Sequence, residues 1–208
     1  MAKQSDWTKV VTPSIKNNMK DSAHTAYLNG CDLREDALSL FSIKRYARSA
    51  ALAILSEEEF CKAFILFTCA GQGRWDSNIY KALRKHSEKQ GISEGMRNHF
   101  DWFNETYRQF MAEHGSSFTQ HQPPIIPSEK RVSELREKVR SRFSKPVRDF
   151  LKQDAFYVSL DEDGKVKSTP ASISERDAQE CLDESEKFKV ITEVLLGKAT
   201  DLTKWAPL

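Results

Sequence analysis

The chain has 208 residues, of which 39% are apolar and 30% charged, with 32 basic against 30 acidic side chains and a formal net charge of +2. That length is enough for one domain with its own core and needs no disulfide or metal staple. The near balance of charge neither demands nor excludes nucleic acid as a partner, and the apolar and charged fractions are those of a soluble globular protein.

In chain order, the first element is the amino-terminal stretch "MAKQSDWTKVV", which lacks the apolar run of a signal peptide. Residues 1–14 are read as a tail. From about Ile15 to Phe41, apolar residues recur at three- and four-residue steps, including Met19, Ala23, Ala26, Tyr27, Gly30, Leu33 and Ala37. This spacing predicts helix, either one helix or two broken at Asn29-Gly30. A short link at Ser42–Lys44 leads into a helix over about Arg45 to Ala70, apolar nearly all round. Such a helix is central, touched on several sides. Gly71 and Gly73 are its expected stop.

Further helices are expected over about Asp76–Gln90 and Ser93–His114, the latter with Phe100, Phe103, Tyr107 and Phe110 on one stripe. "HQPPIIPS" reads as a loop, because its prolines cannot sit inside a helix. A charged helix follows over about Ser128–Gln153. The period then changes: "FYVSLDEDGKVKS" alternates around Asp163-Gly164, which predicts a hairpin at about 156–168. Ser172 and Glu175 are spaced as a capping box. They open a last helix over about Glu175–Leu196, stopped by Gly197. The expected fold is all-α, a bundle of five to six helices with one small β-hairpin near the C-terminus. A single domain over 15–200 and a tail at 201–208 complete the expected organisation.

The central helix raises a question of charge. "AILSEEEFCKAF" places Glu57, Glu58, Glu59 and Lys62 within the most apolar segment. Glu58 and Lys62 are four apart, glutamate first, the order that suits an ion pair. Two arrangements fit: a solvated strip with Lys62 as local partner, or a polar site set into the core. His86 and Lys89, on the following helix, join the second arrangement if the two helices pack antiparallel. A carboxylate beside a histidine orients the ring and raises its pKa, and two lysines hold a phosphate. The same residues also read as a buried ion-pair cluster that fixes helix register.

Cys31, Cys61, Cys69 and Cys181 form no CxxC pair, and no Cys/His cluster has zinc spacing. Neither a metal nor a cofactor is expected. No apolar stretch is long enough to span a bilayer. A cytoplasmic protein with no membrane contact is the expectation.

The stretch "LNGCDLREDALSLFSIKRYARSAALAILSEEEFCKAF" resembles the AbiV family of bacterial abortive-infection proteins, part of the broader HEPN group of helical domains. Arg45-Tyr46-Ala47 matches the family's helix start. Glu58, Glu59 and Lys62 match its E-E-x-x-K, with Phe60-Cys61 where the family usually has Leu-Gly. Trp75 followed by His86 and Lys89 is similar to its W…H-x-x-K, and "FYVSLDEDGKVKSTPASISERDAQECL" resembles its hairpin and last helix. The matched stretches span roughly residues 27–196.

The resemblance implies an anti-phage protein, and for many HEPN domains a metal-independent ribonuclease that halts translation in infected cells. Those enzymes carry Arg, four to six residues, then His. Here only Arg108 to His114 in "RQFMAEH" fits, a spacing that chance also supplies. Glu58, Glu59, Lys62, His86 and Lys89 are therefore the first set of candidate catalytic residues, and Arg108 with His114 the alternative. The resemblance also implies a homodimer; the stripe Phe100, Phe103, Tyr107 and Phe110 fits part of such a surface and fits core packing equally. RNA is the implied partner. A non-enzymatic module that binds a phage-encoded or host protein is the competing reading.

Overall fold

The computed structural model describes residues 7–84 and 147–198. Within them the long elements are helical. Strand β1 (Thr8–Val10) precedes α1 (Pro13–Ser42) and α2 (Tyr46–Gln72). Strand β2 (Arg74–Asp76) and α3 (Ser77–Arg84) follow. Then come α4 (Val147–Phe156), β3 (Ser159–Leu160), β4 (Val166–Ser168), a 3-10 turn (Pro170–Ser172) and α5 (Glu175–Leu195). The all-α fold with a hairpin near the C-terminus is thus found. The helix expected over 93–114, with its aromatic stripe, lies outside the described residues, as does most of that expected over 128–153.

Helix α1 runs unbroken for 30 residues. Pro13 sits in its first turn, and the Thr12 hydroxyl accepts the Ile15 amide hydrogen at 3.3 Å. Asn29-Gly30 does not interrupt it. Gly30 instead serves a close approach: a Cβ built there would stand 2.7 Å from Cε1 of Phe60, a fully buried ring on α2. Glycine lets α1 and α2 meet at this level. The small residue at the contact is on α1, while Cys61 on α2 packs into the core beside Phe60 and Phe188.

The chain reverses between α1 and α2 over Ile43–Arg45, with Lys44 in the left-handed region at φ 62°. Ala37 then faces Ser49, Gly30 faces Ser56, and Met19 packs with Cys69 and Ala70. The two helices are therefore antiparallel. Helix α5 runs parallel to α2, since Leu182 packs with Ile54, Ser185 meets Ser56 and Phe188 lies with Phe60. Around Ala37, Ala50, Ala51, Ala53 and Ala178, alanines let the three helices lie close. Helix α2 is the centre of this assembly, as its all-round apolar pattern implies. It ends at Gly73, left-handed at φ 65°, two residues beyond Gly71.

Two details differ from the sequence reading. The capping box of α5 is Ser174 with Asp177, not Ser172 with Glu175. The Ser174 hydroxyl accepts the Asp177 amide hydrogen at 3.2 Å, and the Asp177 carboxylate accepts the Ser174 amide hydrogen at 2.9 Å. Ser172 is held in the preceding turn by donating to the Thr169 carbonyl at 2.6 Å. Second, the hairpin is not the only strand pair. Strands β1 and β2 form an antiparallel ladder in register Thr8 to Asp76, Lys9 to Trp75 and Val10 to Arg74. Residues 8–10 are thereby tied to the far end of α2. The hairpin itself turns as expected, with Gly164 at φ 76° and the Asp161 carboxylate accepting from the amides of Asp163 and Lys165 at 3.0 and 2.8 Å.

Candidate functional site

A seam of polar groups runs through the core along α2. The Ser56 hydroxyl donates to the Gly30 carbonyl at 2.7 Å and lies 2.9 Å from the Ser185 hydroxyl, linking α1, α2 and α5. Both serines are fully buried. The Thr192 hydroxyl donates to the Phe188 carbonyl at 2.8 Å within α5. Each group is satisfied inside the protein, as burial requires.

The acidic run divides around this seam. Glu57 and Glu58 are buried. Glu58 accepts from Lys152 of α4 at 2.6 Å, with only 5% and 11% of the two side chains exposed. The ammonium of Lys62 goes to Glu59, one turn back, rather than to Glu58. That second pair is more open, with 28% of the Lys62 side chain and 15% of Glu59 exposed. The expected Glu58–Lys62 pair is thus replaced by two pairs. Helix geometry offers Lys62 a partner at either i−3 or i−4. Glu58 points toward α4, whose lysine is the partner deeper in the core.

Lys152 is the residue that sequence reasoning missed. It lies beside Leu151 and three residues before Ala155, both on the inward side of α4. A lysine on that stripe was its one signal. His86, Lys89, Arg108 and His114 lie outside the described residues.

A second polar cluster joins α1 to the end of α5. The Tyr27 hydroxyl donates to Glu193 at 2.6 Å, Lys189 lies 3.4 Å from the same carboxylate, and Lys198 sits 4.3 Å over the Tyr27 ring. Burial, then the hydrogen bonds to Glu193 and Cys31, push the Tyr27 hydroxyl far above the ordinary tyrosine range. It is a fixed donor rather than a proton carrier. Burial likewise raises the Cys31 thiol, which disfavours the thiolate that a nucleophile needs. Arg34 pairs with Glu186 at 2.7 Å nearby. This cluster clamps the end of α5 to α1.

Among the described residues, no three His, Cys, Asp or Glu side chains are grouped to hold a metal ion. Nor is any described helix long and apolar enough to cross a membrane. The described cysteines are free thiols, and Cys61, Cys69 and Cys181 are buried.

In comparisons with known proteins, the family model for AbiV, a HEPN family, matches residues 18–189. No curated protein and no solved structure matches the chain significantly. The matched span begins within the first turns of α1, includes α2 and the whole acidic run, and reaches into α5.

Proposed function

The chain belongs to the AbiV family of HEPN-type bacterial abortive-infection proteins, and we propose that it acts by cleaving RNA without a metal ion, halting translation in infected cells. The observation that carries this reading is the charged seam on α2. A central helix packed on several sides holds Glu58 in a buried ion pair and Glu59–Lys62 in a half-open one. Well-packed apolar residues would stabilise such a position as well or better. Charge kept there fits a site that needs it.

The two pairs have different parts in this proposal. Glu58 with Lys152 is a positioning element, too deep to meet a substrate. Lys62 is reachable and, with Lys89, holds the phosphate of the scissile bond. Glu59 keeps the Lys62 ammonium in place until phosphate arrives. His86 takes the proton from the RNA 2′-hydroxyl as that oxygen attacks phosphorus, and the 5′-oxygen takes a proton from water as its bond to phosphorus breaks. The products are a 2′,3′-cyclic phosphate and a 5′-hydroxyl. Arg108 and His114 are the alternative pair for the same roles, arginine stabilising charge on the phosphate. A homodimer that shares one cleft belongs to the same proposal.

Incubating pure protein with cellular RNA, with and without EDTA, tests this reading. We expect cleavage that survives the chelator and disappears in His86→Ala. Disappearance in His114→Ala, with His86→Ala fully active, would move the site to the alternative pair. Intact RNA with every sample would defeat the enzyme reading.

One observation favours a non-enzymatic module instead. Phe156, Tyr157, Val158, Leu160 and Val166, at the end of α4 and on the hairpin, are all exposed. Clustered apolar side chains on a surface mark a place where another protein binds.

A further inference from the structure

We infer that the end of the bundle built by β1, β2 and α3 is a docking surface for single-stranded RNA, separate from the polar seam on α2. The inference rests on the RNA-directed reading above, and extends it to how the strand is held.

Three rings meet there. Trp7, Trp75 and Tyr80 lie with centroids 6.1–6.3 Å apart, tilted against one another. All three are half-buried, so each keeps part of its surface in solvent. Cations lie over two of them: Lys9 over the Trp7 ring and the Arg84 guanidinium over the Tyr80 ring, each 5.4 Å from the ring centroid. Arg84 also donates to the Tyr80 hydroxyl at 3.1 Å. The Arg74 side chain, on β2, is 62% exposed.

The carboxylate within the cluster is turned away from solvent. Asp76 is buried, accepting from the backbone of Asn78 and Ile79 at 2.9 and 3.0 Å and from Arg74 at 2.9 Å. The Ile79 amide, ahead of Arg74 and the Asn78 amide, holds it below the usual carboxylate range. Its charge is spent on capping α3. Among the described residues, this end therefore shows arginine, lysine and part of each aromatic ring.

A small aromatic core needs the rings, but it does not need three cations around its edge. The combination suits a strand whose bases are unpaired. Bases stack on aromatic rings whatever their sequence, while the phosphates between them meet lysine and arginine. A duplex hides the base faces and would use only the cations. The chain as a whole carries only +2, so the attraction is local to this rim.

The test is a titration of the full-length protein with an unstructured 2′-O-methyl RNA dodecamer, which 2′-hydroxyl attack cannot cut. Tryptophan fluorescence reports binding, measured at salt from about 50 to 200 mM. We expect quenching on binding by the parent. Arg74→Ala/Arg84→Ala should weaken the affinity roughly tenfold or more and reduce the salt slope by about 1.4, the value for two phosphate contacts on a single strand. Because Arg74 also touches Asp76, Lys9→Ala/Arg84→Ala is the second variant. It leaves the Asp76 cap intact and should show the same loss, with an unchanged circular dichroism spectrum.

Absent binding by the parent overturns the inference. So do both variants binding with the parent's affinity and slope, or an acidic peptide or duplex RNA competing equally well. Failure of this surface and failure of the cleavage reading are separable. If the parent cuts ordinary RNA while both variants bind like it, the surface is wrong and the ribonuclease stands. If binding tracks the rim but no RNA is cut, the surface stands and the ribonuclease reading falls.

Discussion

Lys152→Met is expected to destabilise the protein by about 3–5 kcal/mol. Lys152 and Glu58 meet at 2.6 Å with 11% and 5% of their side chains exposed, so the pair lies in the core between α4 and α2. Methionine fills much of the same volume but leaves the Glu58 carboxylate without its lysine. Removing one partner of a buried ion pair costs several kcal/mol, more than the methionine regains by packing. For a domain of this size the melting temperature should fall by on the order of 10 °C. Glu58→Gln in the Lys152→Met background removes the carboxylate's charge and should recover part of the loss. The contrast is Lys62→Met. Its partner Glu59 is local and the lysine is 28% exposed, so its effect on stability should stay within about 1 kcal/mol. Equal small effects at Lys152 and Lys62 would show that the Glu58–Lys152 pair is not buried in solution.

The second large effect is expected where α1 crosses α2. Phe60→Ala should cost about 3–5 kcal/mol, since the ring is fully buried among Ala26, Tyr27 and Phe188 and its loss leaves a cavity. Gly30→Ala should cost about 1–3 kcal/mol through overpacking. The added methyl would lie 2.7 and 2.8 Å from two ring carbons of Phe60, a fully buried ring. Against this, alanine in a helix gains about 1 kcal/mol over glycine. The two positions should therefore be coupled. In a Phe60→Leu background the smaller side chain makes room, and Gly30→Ala should become neutral or stabilising. A double-mutant cycle read by urea unfolding measures the coupling, expected at about 1–3 kcal/mol. Independent, additive effects would contradict the close contact.

The long helices were legible because their pattern is long. Helix α2 showed its central place in apolar residues on every side, and α5 its end in Gly197, which does adopt φ 69°. What stayed hidden was short or distant. Strands β1 and β2 have three residues each, below the length over which alternation can be read, and they pair across more than sixty residues. Two overlapping serine-acid spacings precede α5, and only the backbone decides that Ser174 rather than Ser172 is the cap. At Asn29-Gly30 a breaker signal was really a packing signal, because the Phe60 ring opposite supplies the reason for glycine.

The candidate site was half legible. Charge in the core was suggested by Glu58 lying on the most apolar helix, and Glu58 is indeed buried. Its partner was not, because Lys152 lies 94 residues away and no local spacing connects them. The choice of Glu59 over Glu58 by Lys62 depends on side-chain rotamers that periodicity does not register.

The central claim is that the acidic run on α2 holds a working charge at Lys62 beside a structural one at Glu58. Cleavage of RNA by Lys62→Met, at a temperature where its melting curve shows it folded, tests this most directly. The account predicts a variant that melts within a few degrees of the parent and has lost most of its cleavage. Full cleavage by the folded Lys62→Met variant would contradict it, and would leave both pairs as parts of the scaffold.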